Sequence, residues 1–236
     1  MTEGQWGSTE DVHLMCEFLG ARGVTTRKLR LFSCAACRRV SDLLTIANTR
    51  RALEFTEQYL DGAVPLSVVR EAHRALMGTV EALPLGENPA QPEVMAAWAV
   101  AFASWWEQRG AYGDAYVAEQ VSVLVSIAAG IAAGSHVDWA AGSVSEVREL
   151  RAAVSLLRDI FGNPFRPVAP FPSWRTPTVV ALTAQMYESR DFGAMPILAD
   201  ALQDAGCDSA DVLDHCRGPG PHVRGCWVVD LVLGRE

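Results

Sequence analysis

Residues Arg27–Ala47 read RKLRLFSCAACRRVSDLLTIA. In that stretch Leu29, Phe32, Ala36, Val40, Leu43 and Leu44 recur at three- and four-residue steps, the spacing of one face of an α-helix. Thr26 stands where an N-cap belongs, so one helix is expected from there to Ala47. The same period extends outward in both directions. Upstream, Asp11–Leu19 is expected to form a short helix that stops near Gly20 and Gly23. Downstream, Thr49–Leu60 is closed by Asp61-Gly62, and Pro65–Leu83 carries Pro65 near a first-turn position, where a missing N–H costs nothing.

A loop, PLGENPAQPE, then leads to two Ala-rich helices expected at Val94–Gln108 and Tyr112–Ala133, punctuated by Gly110 and Gly113. A further helix is expected over Val144–Phe161, with Gly162 just past its end. The segment GNPFRPVAPFPSWR (162–175) holds four prolines and reads as a linker. Thr176-Pro177 restarts the helical pattern with an N-cap and a proline at the first helical position. Short helices are expected at Pro177–Glu188, Pro196–Ala205, Ser209–Cys216 and Val223–Leu233. No stretch sustains period-two alternation. The fold class is therefore all-α: a helical body (1–161), a Pro-rich linker (162–175) and a C-terminal cluster of small helices (176–236) packed on the body.

Half of the residues are hydrophobic and a fifth are charged, a balance that folds rather than staying disordered. The net charge of −8 argues against broad nucleic-acid binding. The most apolar stretch, VSVLVSIAAGIAAG (Val121–Gly134), is short for a membrane span and has Glu119 and Gln120 at its edge, so a buried core helix is expected. The first residues lack the basic start and apolar run of a signal peptide. A cytoplasmic protein is expected, with its six cysteines present as thiols or metal ligands rather than disulfides.

Two groups of residues could bind a metal. Cys34 and Cys37 are three apart on the first long helix and share a face; two thiolates at that spacing can reach one tetrahedral zinc ion. Cys207, His215, Cys216, His222 and Cys226 fall within twenty residues near the other end. His215 and Cys216 point in different directions, so one of them at most joins a given site. His222 and Cys226 share a face if the last helix starts early enough, and Gly218-Pro219-Gly220-Pro221 forms a stiff turn between the helices. The metal site expected from this is Cys34, Cys37, His215, His222 and Cys226 around one structural zinc ion that would clip the small cluster to the body. The competing reading is that the cysteines fill the core and the histidines line a loop.

Arg217 and Arg224 flank the same turn and suit anion binding, since a guanidinium grips carboxylate or phosphate through two hydrogen bonds. With His215, His222 and Asp230 nearby, a thiol nucleophile with a His base can be drawn. No spacing singles out Cys216 or Cys226 for that role, and there is no P-loop, nucleophile elbow, dinucleotide glycine motif or H-E-x-x-H. No catalytic residue is assigned. A basic run, Arg22, Arg27, Lys28, Arg30, Arg38 and Arg39, is expected to pair with acids brought near by folding. Trp98 and Trp105, seven apart, are expected on one core stripe.

Three phrases, LRLFSCAACRR (Leu29–Arg39), LLRDIFGNPFRP (Leu156–Pro167) and PILADALQDAGCDSADVLDHCRGPGPHVRGCWVVDLVLG (Pro196–Gly234), together resemble an uncharacterised bacterial protein family. The resemblance covers both ends and the linker, and leaves out residues 55–145. The family has no known activity, so the resemblance implies no substrate, cofactor or catalytic residue. Two functional expectations follow from the residues themselves. One is a non-enzymatic interaction or regulatory module with a protein partner and a structural zinc site. The other is an enzyme or small-ligand or anion binder that uses the C-terminal His/Arg/Cys group.

Overall fold

The computed structural model describes residues 1–83, 91–106, 110–134, 144–169 and 171–235. Among them there are twelve α-helices and no strand, as the period of the apolar residues requires. The helices are α1 (Glu3–Ser8), α2 (Val12–Ala21), α3 (Thr26–Arg39), α4 (Thr49–Leu60), α5 (Leu66–Glu81), α6 (Pro92–Ser104), α7 (Gly110–Ala132), α8 (Val144–Phe161), α9 (Pro177–Ser189), α10 (Met195–Asp204), α11 (Ala210–Arg217) and α12 (Trp227–Leu233). The chain forms two compact units. One comprises Met1 and Ser8–Val154; the other comprises Thr2–Gly7 and Ser155–Glu236. The Pro-rich segment belongs to the second unit, and the division falls inside α8.

Side-chain caps set several helix starts. The Asp11 carboxylate accepts the Leu14 N–H (3.2 Å) ahead of α2, and Thr176 Oγ1 accepts the Val179 N–H (3.3 Å) ahead of α9. The cap of α3 is Thr25 rather than Thr26, with its hydroxyl 3.5 Å from the Lys28 nitrogen. Gly162 takes φ +60 at the end of α8, and its N–H donates to the Arg158 carbonyl (2.9 Å).

Four expectations need correction. The helix beginning at Thr26 stops at Arg39: Val40 leaves helical geometry (φ −110, ψ 33), and Ser41–Leu43 is a separate 3₁₀ turn. The helix expected to reach Gln108 ends at Ser104 with Trp105 extended, so Trp105 does not continue a stripe from Trp98; Gln108 lies outside the described residues. The last helix starts at Trp227, not Val223, with Cys226 as its N-cap. And α1 was not expected at all, because two glycines in EGQWGS make it a poor helix former. Of the loop expected at 84–93, residues 84–90 lie outside the described residues.

In the first unit α7 packs against α2, α3 and α6, and α4 packs against α3, α5 and α6. The segment Gly113–Ala132 is long and apolar enough to cross a membrane by length and composition, yet 56% of it is buried inside the protein. Ala118, Val121 and Ala128 are completely enclosed, and the Ser122 and Ser126 hydroxyls donate to carbonyls one turn back, so α7 is the core helix of this unit. Asp114 in its first half receives the Arg30 guanidinium from α3 (2.7 Å), which also donates to the Phe102 and Ala103 carbonyls and lies over the Trp106 ring. Arg38 pairs with Glu57 through two hydrogen bonds (2.7 and 2.6 Å), Arg39 with Glu149, and Arg27 with Asp61, so these cations of the basic run, like Arg30, have acidic partners.

In the second unit α10 packs on α9 and α11, and α12 packs on α9 and α11. Leu198, Leu202, Val228 and Val229 are completely buried there, each contributing about 1.5–3 kcal/mol of apolar transfer.

Candidate metal centre

The second unit brings Asp159, His215, His222 and Cys226 together, with one ligand atom from each lying within 4.8 Å of all the others. Three separate pieces of chain deliver them. Asp159 is in the last turn of α8, His215 is in the last turn of α11, and His222 and Cys226 bracket the loop that ends at the start of α12. The loop is kept out of helix by its Gly-Pro composition. Gly220 has φ +80, and a Cβ there would stand 3.0 Å from the His222 nitrogen, so a side chain at 220 would displace His222 itself. Of the adjacent His215 and Cys216, His215 joins the cluster while Cys216 is buried in the apolar core.

Asp159 organises the group. Its side chain is only 2% exposed. Oδ2 accepts the Val223 N–H (3.0 Å) and Oδ1 accepts from His222 Nδ1 (2.9 Å). His215 Nε2 lies 3.2 Å from the same Oδ1 and 3.2 Å from Cys226 Sγ. A carboxylate only accepts, so the proton of His222 sits on Nδ1. That leaves Nε2 of His222, a residue whose side chain is 9% exposed, as a buried lone pair with no donor. The His215 ring meets His222 edge-on (4.9 Å between centroids) and is backed by Trp227 (5.3 Å). Trp227 in turn closes against Gly162, where a Cβ would sit 3.0 Å from the indole, so a glycine is needed on both conformational and steric grounds.

These distances discriminate between two chemistries. A thiol nucleophile, base and acid form a line, with the imidazole using one nitrogen for the thiol and the other for the acid. Here a single nitrogen, His215 Nε2, faces both. Burial, and then the nearby Asp159 charge, push the Cys226 thiol well above its ordinary range, which disfavours a thiolate in the metal-free site. A cation reverses that balance, because the carboxylate and the thiolate are then both stabilised by it. Ligand atoms around tetrahedral zinc are about 3.3–3.8 Å apart, from bond lengths of about 2.0–2.3 Å. His215 Nε2 stands 3.2 Å from both Asp159 Oδ1 and Cys226 Sγ, close to an edge of that shell, and all four groups offer a ligand atom within 4.8 Å of the others. One carboxylate, one thiolate and two neutral imidazoles around a divalent ion also sum to zero charge, the condition for burying it. The residues fit a metal ion.

Cys34 and Cys37 lie on α3 in the first unit and are not members of this group. Both are buried, and burial followed by the Glu57 charge pushes both thiols up. Arg217 donates to Asp200 (3.0 Å) and Gln203 (2.7 Å). Arg224 donates to the Tyr187 carbonyl (3.0 Å) and lies over the Tyr187 ring (4.9 Å), with Glu188 at 3.9 Å. Cys207 and Cys216 are buried thiols, the latter pushed up to about 12, chiefly by burial. Compared with protein-family models, curated proteins and solved structures, the chain matches none.

Asp159 was missing from the sequence-based ligand set. Its signal was present but faint: the acid stands three residues after Leu156 and one before Ile160, both fully buried, and so falls within the apolar arc of its helix.

Proposed function

We propose that the second unit is an interaction or regulatory module clipped by one structural zinc ion, with Asp159, His215, His222 and Cys226 as its ligands. The observation that carries this reading is the convergence of four ligand groups, from three chain segments, within 4.8 Å in the protein interior. The mixed N/S/O donor set suits zinc, and four protein ligands complete its tetrahedron, as in structural rather than catalytic sites. Bound there, zinc would tie the end of α8 to α11 and to the 218–226 loop, adding binding energy to a unit with a small core. Six free cysteines agree with a reducing compartment such as the cytoplasm. The net charge of −8 and the paired arginines of α3 favour a protein partner over nucleic acid.

Elemental analysis of purified protein is expected to find about one zinc per chain. Cys226→Ser and His222→Ala should each strip it, while the double variant Cys34→Ser/Cys37→Ser should keep it. Loss of zinc from that double variant would bring the α3 thiols into the site instead. Wild-type protein that takes up no zinc, and whose melting temperature is indifferent to added zinc or chelator, would overturn the reading.

A further inference from the structure

Helix α1 belongs to the second unit's architecture although Trp6 and Gly162 are 156 positions apart in the chain. Trp6 is buried, and its indole N–H donates to the Gly162 carbonyl (2.9 Å). The Arg158 guanidinium donates through Nε and Nη2 to the Trp6 carbonyl (3.2 and 3.0 Å). Glu3 receives Asn163 Nδ2 (2.8 Å) and Arg166 Nε (2.6 Å). These anchor points, 158, 162, 163 and 166, bracket Asp159. One of them, Gly162, also backs the Trp227 ring that lies against His215 and follows Cys226 directly in the chain.

We propose that α1 is a metal-coupled clip: its docking on the end of α8 and metal binding at Asp159, His215, His222 and Cys226 favour each other. The inference rests on the zinc reading above and adds the regulation of that site. The geometry carries it. A carboxylate positions a metal only as well as its helix end is held, and α1 supplies hydrogen bonds to that end on both sides of Asp159. The outer partners of metal ligands commonly change affinity by about 10–100-fold when altered. Linkage is reciprocal, so whatever factor α1 adds to metal affinity, the metal adds to α1 docking. Loss of zinc then loosens α1 and uncovers the α8–Gly162 corner, which gives the module two states distinguished by metal. Trp6 acts here as a positioning residue, at one remove from the ion.

The test uses the full chain and zinc itself. Zinc affinity is measured by competition with a chromophoric chelator for wild type, Trp6→Ala and Trp6→Phe. Amide exchange of residues 3–8 is followed with zinc and with chelator. Trp6→Phe keeps an aromatic ring and removes the N–H donated to Gly162. It should weaken zinc binding by about tenfold or more, and lower the melting temperature more with zinc than with chelator. In wild type, the amides of 3–8 should exchange faster by a comparable factor once zinc is removed. Should Trp6→Ala fail to fold, Trp6→Phe and the wild-type exchange data decide the matter. A wild type that binds zinc, with Trp6→Phe binding it equally well, would sink the coupling alone. So would equal losses of melting temperature with and without zinc, because a merely structural Trp6 behaves that way. A wild type that binds no zinc would instead fail the metal reading itself.

Discussion

The two units solve the same problem, a carboxylate in the interior, in different ways. In the first unit Asp114, Glu57 and Glu149 each meet an arginine, at 2.6–2.7 Å. A guanidinium is charged at every accessible pH, so these pairs are complete as they stand. In the second unit Asp159 meets two imidazoles and a backbone N–H, with a thiol beyond; its chain neighbour Arg158 gives its guanidinium to the Trp6 carbonyl. Imidazole and thiol change charge with circumstance. The lesson is that a buried acid paired with arginine is electrostatically complete, whereas a buried acid surrounded by conditional groups leaves room for a cation to supply the charge.

Parallel substitutions sharpen that contrast. Asp114→Asn leaves Arg30, only 1% exposed, without its counter-charge, and is expected to destabilise the protein by about 3–5 kcal/mol in urea or thermal unfolding, with or without zinc. Asp159→Asn is expected to cost less in chelated protein, since the amide oxygen can keep the Val223 N–H while the NH2 group donates to His222 Nδ1 once that imidazole carries its proton on Nε2. Its larger effect should show only with metal, as loss of the zinc-dependent stabilisation, about 2.7 kcal/mol when free zinc is a hundred times its dissociation constant. Equal losses for Asp159→Asn in both conditions would make Asp159 an ordinary buried acid and erase the distinction between the units.

Much of this architecture is legible in the sequence because its signals are local. Thr49–Leu60 is bounded as the apolar period and Asp61-Gly62 indicate, Asp11 and Thr176 cap the helices that follow them, and Gly162 ends α8. What was not legible depends on distant partners. EGQWGS becomes a helix in a setting where Trp6 is buried and bonded to Gly162, and no propensity within six residues encodes that. Cys34 and Cys37 display a metal-like spacing on the surface of the sequence, but in the fold they are buried on α3. Asp159 lies in the phrase LLRDIFGNPFRP but in no metal-ligand spacing, and precedes His215 by a whole linker and two helices, α9 and α10. A ligand set assembled from three chain segments is visible only once those segments are packed. His222 and Cys226 converge through a bent loop rather than along the one helical face expected of them.

The smallest expected effect tests whether pairing or burial sets the energy of the first unit's charges. Glu149 and Arg151 are two residues apart on α8, and each makes an ion pair: Glu149 with Arg39 at 2.7 Å, Arg151 with Glu10 at 3.0 Å. The distances are nearly equal, but Glu149 is 5% exposed while Arg151 and Glu10 are 61% and 62% exposed. Water and salt screen the second pair, and ordering two long side chains costs most of what the attraction returns. Arg151→Ala should therefore cost about 0.5 kcal/mol or less, and that remainder should fade in concentrated salt. The measurement is a urea midpoint at low and high ionic strength. A loss approaching that of Asp114→Asn would mean that the first unit is held by ion pairs as such. The burial of its acids would then no longer be what sets them apart from Asp159.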